Sequence, residues 1–266
     1  VKTILFIPAR YASTRYPGKP LAVLRQPDGS SKTLIQMSWE AAMQIKGVDA
    51  VYVATDDTRI EQAARDFGAD VVMTSQACEN GTARCADALD QLGARFATTP
   101  DLVVNFQGDA PLTPPWFVED LIAAMQADPS IGMATPVLRC DRQTYDNFTE
   151  DRRHDRVGGT TAVFDCNMRA LYFSKQVLPY IDPGKLPDPI PVFHHVGVYA
   201  YRPDALRAYT QSPVCALEVL EGLEQLRFLH NGTPVRCVEV DARGRLFWEL
   251  NNPHDIARIE AALEAQ

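Results

Sequence analysis

Thr3-Ile-Leu-Phe-Ile-Pro-Ala-Arg-Tyr-Ala-Ser-Thr-Arg-Tyr-Pro-Gly-Lys-Pro20 joins an apolar run to a basic loop stiffened by prolines. Residues 3–8 read as a buried strand, and the same kind of run returns at 50–54, 69–73 and 102–105. Between these runs, residues 34–44, 58–67 and 82–92 carry apolar side chains at helical spacing, with Asp57 or Thr58 placed to cap the second helix. Strand, helix and strand repeated in this way predict an α/β fold with a doubly wound, mostly parallel sheet. Ligands of such sheets sit beyond the carboxyl ends of the strands, so the loops 8–20, 54–57, 74–84 and 107–109 become the places to look for chemistry.

The second half is less regular. Residues 160–165, 169–174, 195–202 and 235–240 read as strands, and 216–229 and 253–264 as helices, the latter with Pro253 near its start. Prolines 179, 183, 187, 189 and 191 mark 178–192 as a surface excursion, not a regular element. Repeats, low-complexity tracts and flexible linkers are absent, so the economical reading is one domain over 1–266 with an inserted arm and strand at about 175–203.

The 266 residues are 46% hydrophobic and 23% charged, an ordinary globular balance. A net charge of −8 speaks against nucleic acid as a partner, although one cleft can still hold an anion because its field is set locally. No apolar run approaches the roughly 20 residues that span a bilayer, so a membrane is not expected as a partner. The run at 4–7 meets Pro8 and Arg10 too soon to be a signal-peptide core, and the expected location is the cytoplasm. The 6 cysteines include no Cys-x-x-Cys pair, which points to reduced, mainly buried thiols and not to structural zinc.

Arg10, Arg15 and Lys19 crowd into one strand-end turn with Ser13, Thr14 and Gly18. Arginine offers phosphate a planar fork, lysine a mobile charge, and glycine a close backbone approach. A triphosphate uses all three, since departing pyrophosphate gains charge in the transition state. The loop is not a Walker A motif, because Ser13 and Pro20 stand where that pattern needs glycine and a hydroxyl. Nor does a Gly-x-Gly-x-x-Gly follow the first strand, which counts against a dinucleotide dehydrogenase. A solvated basic loop is the plain alternative.

The full string from Ile7 to Leu21 resembles, almost residue for residue, the first motif of the 3-deoxy-manno-octulosonate (Kdo) cytidylyltransferases, or CMP-Kdo synthetases. Val53-Ala-Thr-Asp56, Val72-Met-Thr74, Gly81-Thr82 with Arg84, Gln107-Gly-Asp109, Ala170-Leu-Tyr-Phe-Ser174, His195-Val-Gly-Val-Tyr199 and Leu223-Glu-Gln-Leu-Arg227 continue the likeness in order along the chain. The related loop of sialic-acid cytidylyltransferases matches less well. The resemblance implies a nucleotide-diphospho-sugar transferase-like fold with a dimerisation arm, hence a homodimer. It also implies CTP and an acidic 3-deoxy sugar as substrates, Mg²⁺ as cofactor, and CMP-sugar for surface polysaccharide as product.

Carried onto this chain, the family pattern places Pro8, Ala9, Arg10, Ser13 and Lys19 on the nucleotide, with Thr74, Gly81, Thr82 and Arg84 near the cytosine. Arg10, Arg15, Lys19 and Asp109 become the catalytic set. Gln107 touches ligand on both the nucleotide and sugar sides, while Lys175, His195, Tyr199, Glu224 and Gln225 line the sugar pocket. Asp109 and Asn251 are the metal positions. Read without the family, Asp109 is as well suited to capping a helix as to meeting Mg²⁺. His195 and Tyr199 share a face if they lie on one strand, and also suit a satisfied interior pair. Glu224 and Gln225 read equally well as solvent-facing helix residues.

Four positions depart from the family pattern. Ala110 stands in place of a glutamate, Thr160-Thr-Ala-Val163 lacks a lysine, Lys175 replaces an arginine, and Asn251 replaces a metal-site aspartate. Asn251 keeps a carbonyl oxygen without the charge, and Mg²⁺ needs only one or two protein carboxylates beside phosphates and waters. The expectation is therefore a CTP enzyme whose acid sugar is Kdo or a close relative. The alternatives are a sialic-acid-type enzyme and a weakly active, nucleotide-binding regulatory paralogue.

Overall fold

A computed structural model describes residues 1–12, 16–93, 99–157, 159–182, 184–245, 247–250, 252–253 and 255–264. The chain divides into two compact units, Val1–Glu119 with Ala242–Gln266, and Asp120–Asp241.

In the first unit, β1 (Thr3–Ala9) is apolar on both faces and almost wholly buried. After it come the short strands β2 (Val23–Arg25) and β3 (Ser31–Thr33), then the helix α1 (Leu34–Ala42). The order continues with β4 (Ala50–Thr55), α2 (Thr58–Asp66), β5 (Asp70–Met73), α3 (Gly81–Leu92) and β6 (Leu102–Phe106). β1 runs parallel to β4 and β6, and β4 runs parallel to β5. The helix-covered parallel sheet expected from the first half is therefore present, and each expected helix is present with a cap. Thr33 accepts from the Gln36 amide, Asp57 from Arg59 and Asn80 from Ala83, so Asp57 and not Thr58 caps α2. The helix α4 (Pro115–Ala127) follows β6 and contains the division between the units.

The second unit continues with β7 (Met133–Arg139), α5 (Arg142–Arg153), β8 (Thr161–Phe164), β9 (Ala170–Ser174), β10 (Phe193–His195) and β11 (Val198–Tyr201). It ends with α6 (Pro203–Gln211), α7 (Ala216–Glu221), α8 (Leu226–His230) and β12 (Val235–Val240). β7 pairs antiparallel with β10 and β11 and parallel with β12, whereas β8 pairs antiparallel with β10 and β9. Antiparallel pairs in this half make the strand set mixed. The last helix, α9 (Asp255–Glu264), belongs to the first unit, where Leu250 and Ile259 pack with Leu24, Leu34, Met37 and Leu112.

Two expectations for the second half are corrected. The strand expected at 195–202 is broken after His195. His195 pairs with Val137 but Ala200 pairs with Ala134, a slip of two residues that leaves Val196 and Gly197 between β10 and β11. The helix expected at 216–229 is also two helices, because Gly222 takes a left-handed φ of 62° and ends α7. Residues 178–192 form no strand or helix among those described. Ile190 and Val192 are buried with Cys140 and Phe148, and Val177, Ile181 and Leu186 pack against them.

Candidate active site

The strand-end loops of the first unit assemble as the sheet rule requires. At the end of β1, Gly18 adopts φ 71° and donates its amide to the Tyr11 carbonyl at 2.9 Å, folding the basic loop back on itself. A side chain at this position would meet the Tyr11 ring at about 3.0 Å as well as straining the backbone. The next residue, Lys19, opens a 3₁₀ turn and extends Nζ to Asp109 Oδ2 at 2.5 Å. Their side chains retain 17% and 25% exposure, so both charges border solvent. Arg10 is exposed and reaches the Glu79 carbonyl at 3.4 Å. Ser13 and Arg15 lie outside the described residues.

Asp109 is placed by its backbone. Gly108 lets the turn after β6 pass close to the end of β1, for an added Cβ would stand 3.1 Å from the Pro8 carbonyl oxygen. Ser38 Oγ donates to the Gly108 carbonyl at 3.0 Å, and the Leu250 amide donates to the Asp109 carbonyl at 2.8 Å. This last bond brings the C-terminal segment beside Asp109, although Asn251 itself lies outside the described residues. No group of three or more His, Cys, Asp or Glu side chains suited to a metal occurs among the described residues. Asp109 has Lys19 as its partner at this strand end.

The 74–84 loop forms the other wall. Arg84 is 3% exposed, donating to Thr74 Oγ1 at 2.5 Å and facing Asp56 Oδ1 at 3.4 Å. These contacts make it a brace from α3 to the segments that follow β4 and β5. Asp87 Oδ2 accepts from the Ser75 amide at 2.8 Å and holds the same loop from α3. Thr82 is fully buried. Gly81, at the first turn of α3, lies where a Cβ would approach Asn105 Nδ2 at 3.2 Å, Gln107 Nε2 at 3.3 Å and Pro8 Cγ at 3.4 Å. The two amide heads and the Pro8 ring thus converge on one small space. Asn105 is wholly buried and neither side-chain atom has a hydrogen-bond partner among the described residues.

In the second unit, His195, Tyr199 and Gln225 come together despite the broken strand. The His195 and Tyr199 rings lie 5.7 Å apart, and the Tyr199 hydroxyl donates to Gln225 Oε1 at 3.4 Å. Gln225 is 1% exposed, so its reading as a solvent-facing residue is corrected: the turn after Gly222 directs it inward. Glu224 is half-buried. Gln225 Nε2 and His195 Nε2 are buried without hydrogen-bond partners among the described residues. Burial, with His194 adjacent, pushes the His195 pKa down to about 3, so the ring is neutral at physiological pH. Its Nδ1 lies 3.2 Å from Thr160 Oγ1.

Lys175 is placed by Glu221, whose carboxylate accepts from the Lys175 amide at 2.9 Å and from Ser174 Oγ at 2.7 Å. Its Nζ lies against Gly222. Behind this, Arg227 forms a two-pronged pair with Glu218, both contacts at 2.7 Å, and Tyr209 donates to the same carboxylate at 3.2 Å. This buried knot fixes α7 to α8, and with them the turn that carries Glu224 and Gln225. The sequence singled out the 54–57 loop without giving Asp56 a role, and passed over Ser38, Glu218 and Glu221 entirely. A buried Glu–Arg pair nine residues apart leaves no periodic signal.

The family model described as cytidylyltransferase matches residues 4–239. The 3-deoxy-manno-octulosonate cytidylyltransferase of Maricaulis maris is 41% identical over 100% of this chain and 98% of its own length. The 8-amino-3,8-dideoxy-manno-octulosonate cytidylyltransferase of Shewanella loihica is 41% identical over 97% of each chain. Among solved structures, a CMP:2-keto-3-deoxy-manno-octonic acid synthetase complexed with CTP is similar at a TM-score of 0.84 and 33% identity, covering 100% of this chain and 99% of that one. The chain belongs to the 3-deoxy-manno-octulosonate cytidylyltransferase family.

Proposed function

We propose that this protein transfers CMP from CTP to the anomeric hydroxyl of a 3-deoxy-2-ulosonic acid, Kdo or a close relative, for surface polysaccharide synthesis. The hydroxyl oxygen bonds to the α-phosphorus and gives up its proton, the bond from the α-phosphorus to the bridging oxygen breaks, and pyrophosphate leaves. The observation that carries this reading is the pairing of Lys19 with Asp109 at the ends of β1 and β6. A cation suited to phosphate beside a carboxylate suited to a metal, at neighbouring strand ends of a parallel sheet, supports it.

Arg10 and Lys19 would gather the triphosphate and balance charge on departing pyrophosphate. Gly81, without a side chain, lets Gln107 and Pro8 come close together, and this cluster of residues would lie against the nucleoside. Asp109 fits Mg²⁺ as a single hard oxygen donor, with phosphates and water completing the shell. Bound there, the ion would neutralise phosphate charge. The neutral His195 ring offers the sugar a hydrogen bond, as do Tyr199 and Gln225, while Lys175 offers positive charge to its carboxylate. The hydroxyl is already a nucleophile, so alignment and charge stabilisation suffice without a strong base.

A homodimer belongs to the same proposal. Tyr180 on the 175–203 segment is 81% exposed, and Leu171 on β9 is also exposed. Sedimentation at micromolar concentration would show a dimer; a monomer alone would oppose it. Residence in the cytoplasm goes with CTP as substrate, and no described helix is long and apolar enough to cross a membrane. The enzymatic test is pyrophosphate release with CTP, Mg²⁺ and a panel of Kdo, 8-amino-3,8-dideoxy-Kdo and sialic acids. Turnover confined to the 3-deoxy-octulosonates supports the proposal. Turnover confined to sialic acids, or none despite CTP binding, overturns it.

A further inference from the structure

The sugar side of the site has to meet a carboxylate, yet His195 is neutral and brings no charge. A second cation stands nearby on α5. Phe148 of this helix meets Gly159 so closely that an added Cβ would fall 2.4 Å from its ring, and it touches His194 edge-on with centroids 5.0 Å apart. Only glycine at 159 lets the helix approach this far. Arg152 lies four residues after Phe148, hence on the same helix face. Its Nη2 donates to the Gly159 carbonyl at 3.0 Å. The next residue is Thr160, whose hydroxyl meets His195. Arg152 also interacts electrostatically with Glu221, the carboxylate that holds Lys175.

The guanidinium is thus tied into the segments that place His195 and Lys175, but its hydrogen-bonding capacity is not spent. Nε is buried without a hydrogen-bond partner among the described residues. A desolvated donor left over on an arginine is costly unless something occupies it. Surface helix arginines of this chain behave differently: Arg142 on the same helix simply pairs with Asp146 one turn on.

We infer that Arg152 is a specificity-determining cation of the sugar site, binding the carboxylate of the 3-deoxy-ulosonic acid together with Lys175. The inference rests on the proposed cytidylyltransferase reaction. Arginine suits the task because its planar fork matches a carboxylate.

The test is steady-state pyrophosphate release with CTP and Kdo, first for the unaltered protein and then for Arg152→Gln and Arg152→Lys. If the unaltered protein releases no pyrophosphate, the proposed reaction fails and this inference fails with it. If it is active, Arg152→Gln should raise KM for the sugar about 10- to 100-fold, the worth of a charged hydrogen bond, with KM for CTP within about twofold. Arg152→Lys should recover part of the loss by restoring charge without the fork. An unchanged KM for the sugar, or equal losses toward sugar and CTP, would overturn the inference. Should Arg152→Gln fail to fold, the lysine variant decides alone: a raised KM for the sugar only supports the inference, and unchanged constants overturn it.

Discussion

Lys19 Nζ and Asp109 Oδ2 lie 2.5 Å apart, joining the loop after β1 to the loop after β6. Each residue therefore sets the position of the other before any ligand arrives. Asp109→Asn should lower kcat by about 10²–10³-fold and move the Mg²⁺ dependence to higher concentration. Lys19→Met should act similarly. Because both serve one constellation, the double variant should lose much less than the product of the single losses. Rates measured across a Mg²⁺ titration check this; fully multiplicative losses would separate the two residues.

Two glycines should respond differently to alanine. At Gly108 the new methyl meets the Pro8 carbonyl at 3.1 Å, and backbone in a central strand gives way poorly. Gly108→Ala should cost about 1–3 kcal/mol of stability. At Gly81 the nearest atoms are the amide heads of Asn105 and Gln107. Gly81→Ala should melt nearer to the unaltered protein while raising KM for CTP. Thermal melts and nucleotide titrations together distinguish the two.

The buried Glu218–Arg227 pair should be structural. Removing one partner leaves a desolvated charge, so Glu218→Ala should destabilise the protein by about 3–5 kcal/mol. Urea denaturation measures this. A loss near zero would mean that water reaches Arg227 freely.

Stability should also depend on the imidazole of His195. Its pKa falls from 6.5 to about 3 on folding, so the unfolded chain takes up a proton that the folded chain refuses. The contribution is complete above pH 6.5 and is lost as pH falls from there toward 3. At pH 5 the loss is about 2 kcal/mol relative to pH 7.5. Urea denaturation of the unaltered protein and His195→Gln at both pH values should show a shallower pH slope for the variant. Parallel slopes would contradict the burial argument.

What the sequence disclosed follows from where the signals are local. The strands at 3–8 and 235–240 and the first three helices announce themselves through apolar spacing and caps, and the basic loop through clustered charge. The slip between β10 and β11 depends on pairing with β7, which spacing along 195–202 does not show, whereas the break within 216–229 is marked locally by Gly222. The contacts of Arg84 with Asp56 and Thr74 come from other strand ends, so spacing along the chain does not show them. The bond from Arg152 to the Gly159 carbonyl goes with Phe148 meeting Gly159, a contact between α5 and the segment before β8 that spacing along the chain does not encode.

The most direct measurement is product stoichiometry: CTP and Kdo are incubated with the protein and Mg²⁺, and CMP-Kdo and pyrophosphate are quantified together. One pyrophosphate should form for each CMP-Kdo, and none without the sugar. Pyrophosphate formed without sugar, or CTP bound with no CMP-sugar formed, would contradict the proposed reaction.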